Sequence, residues 1–324
     1  MIWLAWRRHR FLLALFAGLL VGLGVWMVLL AHAFDHASNV CRDQTYQCGF
    51  QYGVFSIENQ ATAINALLLF LPCLAGIVFG APLVAGELEH YTNRLVWTQG
   101  ISRTRWFVTK WLVVGLILGA LTSLLVLITQ YWSGHVFARL PLTLALNGRI
   151  QPTLFAVTGV APVAYTLFAF SLGVALGAIL RRTSWAVVGT VVGYTAVALL
   201  MVFSIRPSLA SQGFLSTTRS TSVQYVTLPR PQPWILSYGF RFAPGTQPST
   251  GASSASAIAK RCLNQSFTGS SYDQCLSTHD VQGGFFDQSA THYWALQWRE
   301  TAIYLLSALV LLGMALWAVR RWRE

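Results

Sequence analysis

Six stretches of this chain are apolar over lengths that only a lipid bilayer demands: residues 11–33, 61–81, 106–132, 156–180, 185–205 and 301–319. A helix crossing about 30 Å of hydrocarbon needs roughly 20 residues. Inside lipid every backbone N–H and C=O must be satisfied within the segment, which leaves helices as the form such runs can take. The composition agrees. Hydrophobic residues make up 55% and charged residues 10%, where a soluble domain carries about a quarter charged. The fold class read here is an all-α integral membrane protein with six transmembrane helices. The first run, preceded by Arg7-Arg8-His9-Arg10, exceeds the 7–15 residues of a signal-peptide core and reads as an anchor. Pro72 inside the second run predicts a kink rather than a break.

Lys and Arg set the orientation. With the N-terminus inside, the cytoplasmic segments hold Arg7, Arg8, Arg10, Arg94, Arg103, Arg105, Lys110, Arg181, Arg182, Arg320, Arg321 and Arg323, 12 of the 22 basic residues. The other ten are spread through longer outer loops. Both termini are therefore expected in the cytoplasm, in the plasma membrane of a bacterial cell. The same placement accounts for the net charge of +12 without nucleic acid: those twelve cations, less Glu87, Glu89 and Glu324, leave +9 on the inner face.

Cysteines give a second reading of topology. Cys41 and Cys48 fall in the first outer loop, Cys262 and Cys275 in the last, and Cys73 within the second span. Two locally spaced pairs in an oxidising compartment predict two disulfides, with free thiols or cross-loop pairing as the alternatives. The last outer segment, residues 206–299, is about ninety residues long. It holds strand-like stretches broken by prolines, a Ser/Gly-rich connector and a candidate helix over 255–262, and reads as a small extracellular domain. The organisation is thus 1–205 for spans one to five, 206–299 outside, and 300–324 for the sixth span and a basic tail.

On the inner side one sizeable segment joins spans two and three. Leu83, Val84, Leu88, Tyr91 and Leu95 recur at near-helical spacing, while Glu87, Glu89, His90, Asn93 and Arg94 fill much of the remaining surface. This predicts an amphipathic helix over 83–96. A helix lying on lipid is the alternative, but lipid-surface helices are rich in Lys and Arg, and two carboxylates here suit a protein partner better. The chain lacks G-x-x-x-x-G-K-[ST], H-E-x-x-H and G-x-S-x-G, so ATPase, metalloprotease and hydrolase signatures are missing. No charged residue falls mid-span in the six runs, which disfavours an ion-coupled carrier. Any energy would have to come from a partner, pushing on the acidic segment. No cofactor and no metal site is expected; His32 and His36, four apart, read as a polar helix end.

Within the spans, Thr122, Ser123, Thr190 and Tyr194 are the candidate hydrogen-bonding residues of a substrate path. Gly18/Gly22, Gly115/Gly119, Gly173/Gly177 and Gly189/Gly193 each make G-x-x-x-G, a spacing that serves close helix packing within one chain or between two.

The six spans, the short amphipathic N-terminal piece (IWLAWRRHR), the inner segment between spans two and three, and the large outer segment between spans five and six together resemble an ABC type-2 permease, the membrane subunit of a type V ABC exporter. The stretch from Gly86 to Trp111, GELEHYTNRLVWTQGISRTRWFVTKW, is similar to the E-x-E-x-G-T…TQ-x-S-R-x-R-W…K segment of actinobacterial members, with Tyr91 where those often carry glycine. The resemblance implies a dimer formed through spans one and five, which would place Gly18, Gly22, Gly189 and Gly193 near the interface. It implies a path between the protomers, and the apolar, neutral spans themselves favour hydrophobic or amphipathic cargo (drug-like molecules, lipids or peptides) over free ions. It also implies coupling through Glu87, Glu89, His90 and Arg94 to a separate ABC ATPase that binds ATP and Mg. Two other classes stay open: a non-transporting membrane partner on the same fold (immunity, sensor or assembly factor), and a membrane enzyme working through its outer domain.

Overall fold

A computed structural model describes residues 2–40, 54–89, 102–136, 149–216, 233–243, 254–265 and 269–321. Among these, six helices are long and apolar enough to cross a membrane: Arg10–His36, Asn59–Glu89, Arg103–Gly134, Ala161–Leu180, Thr183–Ser208 and Ala290–Arg321. They are called the first to sixth spans. Every apolar run except 156–180 falls within one of these helices, and most helices extend beyond the runs. The first continues from Ile2 to Val40, so the N-terminal basic piece prolongs the span.

The second span is the irregular one. Pro72 lies inside the helix Val54–Ala75, where its missing N–H leaves the carbonyl one turn back without a helical donor. The chain then widens into a π-turn over Gly76–Gly80, in which the Ala81 N–H reaches the Gly76 carbonyl, and resumes as a helix over Ala81–Glu89. The widened turn lies against the fourth span. A Cβ at Gly76 would stand 2.6 Å from the Ala169 carbonyl oxygen, one at Gly80 2.5 Å from that of Phe170, and one at Gly173 2.5 Å from that of Gly76. Glycines on both helices are what lets the two backbones approach this closely.

The run at 156–180 is not one helix. A short helix, Pro152–Val157, ends in three non-helical residues before Ala161–Leu180 begins. Gly159 there has φ +75°, in the left-handed region where a side chain costs energy. A Cβ would also strike the Gln297 amide at 2.6 Å. Such a break is tolerated at membrane depth when other side chains satisfy the freed backbone, and the sixth span supplies them. Gln297 accepts a hydrogen bond from the Ala161 N–H (2.9 Å) and donates to the carbonyls of Phe155 (2.9 Å) and Thr158 (3.1 Å).

The core of the bundle lies where Phe16, Met27, Ile64, Phe79, Trp106, Leu118 and Phe170 meet. Aliphatic and aromatic side chains such as Phe11, Leu116, Val192, Phe203 and Leu306 cover the outside, as helices facing lipid require.

Beyond the bundle, the all-α expectation needs correction. The 206–299 segment contains an antiparallel sheet of three strands, β1 (Gly213–Ser216), β2 (Trp234–Phe242) and β3 (Val281–Gln288), in the order β1-β3-β2. Two helices, Ala255–Gln265 and Gly269–Thr278, bury Ile258, Ala259, Cys262 and Leu276 against Val281, Phe240 and Phe242. Gln288, fully buried, donates to the carbonyls of Pro207 and Ala210, both at 3.0 Å. Trp234 packs with Ile150, Phe155, Tyr293 and Leu296. The sheet is thereby seated on the broken fourth span and the end of the fifth.

Candidate functional site

Residues 83–89 are helical and form the last turns of the second span. The rest of the expected 83–96 helix lies outside the described residues. Leu83 and Val84 are buried in the bundle core, which anchors this end instead of leaving it free to lie on the surface. Glu87 is 5% exposed and forms an ion pair with Lys110 of the third span, itself 9% exposed. The Lys110 ammonium also sits 4.4 Å from the centre of the Trp106 ring, a cation–π arrangement. Glu89 is exposed, and one oxygen takes hydrogen bonds from the Thr183 hydroxyl (2.7 Å) and backbone N–H (3.4 Å). Thr183 opens the fifth span, where unsatisfied amides and the helix dipole favour a carboxylate. His90 and Arg94 lie outside the described residues.

The four path candidates are not gathered together. Thr122 and Ser123 are on the third span, Thr190 and Tyr194 on the fifth. Thr122, Ser123 and Thr190 each donate to the carbonyl four residues back, at 2.7–2.8 Å. Tyr194 is part-buried, its ring 6.5 Å from that of Phe168. Thr122 alone of the four borders a cavity of about 20 Å³, whose other lining residues include Leu68, Pro72, Thr129, Val157 and Thr166. That volume holds about one water. Its walls are apolar because the threonine hydroxyls are spent on backbone: Thr129 donates toward Val126 and Val157, and Thr166 toward Pro162.

A charged cluster that sequence reasoning missed lies where the fifth and sixth spans meet the 206–299 segment. The Arg206 guanidinium makes two bonds to the Glu300 carboxylate, Nε–Oε2 at 2.9 Å and Nη2–Oε1 at 2.8 Å. The Tyr165 hydroxyl donates to Glu300 Oε1 at 2.6 Å. Arg206 lies 4.3 Å over the Phe155 ring, and Tyr165 packs edge-on against Tyr304 at 4.6 Å. The cluster joins spans four, five and six with the short helix before the fourth. Both charges sat one residue outside the apolar runs at 185–205 and 301–319, so Arg206 read as loop and Glu300 as the mere start of the sixth-span segment. The signal that could have found them is helix length: Arg206 stands about 35 Å along the helix from Thr183, still within reach of the outer boundary of a bilayer.

The glycines divide by what they touch. Gly18 and Gly22 are exposed on the first span with nothing within 4 Å of a Cβ built there. Gly189 and Gly193 instead face Leu176 and Leu172 of the fourth span, at 3.0 and 3.2 Å. Both glycines thus take part in packing between the fourth and fifth spans of one chain. Cys262 and Cys275 are joined by a disulfide bridging the helices Ala255–Gln265 and Gly269–Thr278, and Cys73 is a buried free thiol. Cys41 and Cys48 lie outside the described residues. In β3, burial pushes the Asp287 carboxyl above its ordinary range, against the opposing pull of a backbone hydrogen bond and of His292.

Six helices long and apolar enough to cross a membrane make this a multi-pass membrane protein. Residues 11–206 match the profile of the family described as ABC-2 membrane transporter related. The match covers more than half of the chain, and the protein belongs to that family. It runs through spans one to five and ends at Arg206; the three-stranded sheet and the sixth span lie beyond it. No curated protein and no solved structure matches.

Proposed function

We propose that the chain is the permease subunit of an ATP-driven exporter. Two copies form the path, and a separate ABC ATPase, carrying ATP and Mg, drives it from the inner face through the segment between spans two and three. Both termini lie in the cytoplasm and the outer sheet on the far side of a bacterial plasma membrane. The observation that carries the reading is the family match over residues 11–206, taken with a sequence that contains no phosphate-binding loop, so that the hydrolysing site belongs to another chain. The cargo is hydrophobic or amphipathic. In support, Thr122, Ser123 and Thr190 turn their hydroxyls to backbone carbonyls and present little hydrogen-bonding capacity to a passing molecule. First-span glycines with free faces are the remaining candidates for the contact between copies.

The test is transport. Inside-out vesicles from cells co-expressing the chain with the ATPase encoded beside it are given ATP and a panel of lipophilic dyes, labelled lipids and hydrophobic peptides. ATP-dependent accumulation of one class, absent when the ATPase is made hydrolysis-dead, is the expected result. Accumulation of none, with the complex assembled and hydrolysing ATP, would favour the non-transporting partner instead.

A further inference from the structure

We propose that the junction of the third and sixth spans binds the headgroup of an anionic phospholipid, with one acyl chain laid along the sixth span. The site asks only that the protein sit in a bilayer, and it holds whether or not the protein transports anything.

The third span begins at Arg103 and the helix of the sixth ends at Arg321. Two arginine-bearing helix ends therefore come to the same boundary of the bundle, and they touch there. The Arg320 Nε donates to the Thr104 hydroxyl at 3.4 Å, while Trp106 and Phe107 share a core cluster with Ala315, Ala318 and Val319. Thr104 stands between Arg103 and Arg105 in the chain, and Arg320 beside Arg321, so the contact gathers four guanidinium groups onto two touching turns of helix. Arg105, Arg320 and Arg321 are exposed, and among the described residues no carboxylate pairs with any of the three. The two described acidic side chains at this end are engaged elsewhere, Glu87 by Lys110 and Glu89 by Thr183. Like charges brought together by packing repel, and an anion lodged among them relieves that repulsion.

The charges alone would suit any anion. What selects a lipid is the surface that runs on from them. Val310, Met314, Trp317 and Arg321 recur at spacings that place them on one face of the helix. The first three are each about half exposed or more, so they form an apolar stripe, open to the bilayer, that terminates in a cation. The Arg321 guanidinium lies 4.3 Å over the Trp317 ring, a cation–π contact. It holds the charge at the depth where indole rings prefer to sit, level with lipid headgroups. From Arg321 to Val310 is about 16 Å along the helix, roughly the hydrocarbon thickness of one leaflet. The stripe thus gives an acyl chain a surface to lie on, and the arginines give a phosphate charge-assisted hydrogen bonds. Basic pockets between transmembrane helices bind anionic headgroups on this principle. A zwitterionic headgroup gains less, because its ammonium group meets the same cations.

Native mass spectrometry of the full-length chain, stripped of lipid in detergent and titrated with one lipid at a time, tests the site. Phosphatidylglycerol or cardiolipin should fill one saturable site per chain, about tenfold or more tightly than phosphatidylcholine of the same acyl length. Arg105→Gln, Arg320→Gln and Arg321→Gln should each weaken that binding by about fivefold, the change expected for one basic residue at an anionic surface. Trp317→Ala should cost as much as Arg321→Gln, since it takes away both the stacking face and the end of the stripe. Arg182→Gln alters an exposed arginine at the same end of the bundle, between the fourth and fifth spans, and should bind like the wild type. All the altered side chains are exposed, so thermal midpoints in lipid-free detergent should not move, which separates lost binding from lost folding. Equal affinity for phosphatidylcholine would overturn the headgroup preference. Displacement of the lipid by millimolar inorganic phosphate, or wild-type affinity in Trp317→Ala, would overturn the assignment to a lipid. The same loss from Arg182→Gln as from the three junction variants would overturn the location.

Discussion

Arg206 and Glu300, 94 residues apart, meet through two parallel hydrogen bonds of 2.9 and 2.8 Å while exposing 1% and 0% of their surfaces. The fork of a guanidinium against a carboxylate is the strongest geometry for such a pair. Here it fixes the C-terminal end of the fifth span to the sixth, with Tyr165 of the fourth as a third member.

Removing one charge should leave the other buried and uncompensated, at a cost of about 3–5 kcal/mol. Arg206→Met and Glu300→Leu should each lower the thermal midpoint in detergent sharply. The double variant should recover most of the loss, because two apolar side chains pack where the pair stood. A double variant as unstable as the sum of the singles would show that the two residues do not act on each other.

Gly173→Ala should destabilise the protomer, since its new methyl would lie 2.5 Å from the Gly76 carbonyl oxygen; Gly18→Ala, with open space around it, should not. Gly18→Leu should weaken association between copies while leaving the protomer folded. Gly189→Leu, which strikes Leu176, should instead reduce folded yield. Thermal midpoints alongside light-scattering masses distinguish the two effects.

The outer domain has its own readout. In intact cells, a membrane-impermeant maleimide should label Cys262 and Cys275 only after reduction, and Cys73 not at all while the bundle is folded. Labelling of Cys262 without reductant would mean that the two outer helices are not bridged.

Asp287 makes the sheet sensitive to pH. Its carboxyl is raised in the folded state, so the fold binds the proton more tightly than the unfolded chain does. Stability should be greatest below the ordinary carboxylate range, fall as pH rises through the window between the ordinary and the raised value, and stay reduced above it. Opening free energies of the β3 amides, measured by hydrogen exchange, should follow that course. Asp287→Asn should flatten it; an equal slope in the variant would assign the effect to another group.

Much of the bundle was legible because the bilayer leaves so little freedom: apolar run lengths alone placed six helices. What stayed hidden followed from the same simplicity. Arg206 and Glu300 ended the runs, and nothing in a hydropathy pattern says that a terminal charge turns inward to a partner on another helix. The break at Gly159 is invisible in an apolar stretch, since only the backbone angle and the Gln297 side chain reveal it. The two carboxylates at 87 and 89 drew notice for their sign, which suggested a partner outside the chain; their bonds to Lys110 and Thr183 depend on helix ends brought together by the fold. The strand Val281–Gln288 went unread because Gly283 and Gly284 weaken its β-pattern, although Phe285 and Phe286 follow them.

The central claim, that this chain is a membrane subunit driven by a separate ATPase, is tested most directly by native mass spectrometry of the tagged protein purified from its own membranes in mild detergent. The account predicts an assembly containing two copies of the 35.8 kDa chain and two copies of an ABC ATPase, with ATP hydrolysis that disappears when the two kinds of subunit are separated and mixed with unrelated membrane protein. A lone chain, or a homodimer that retains no ATPase under conditions where known complexes of this kind stay intact, would contradict it.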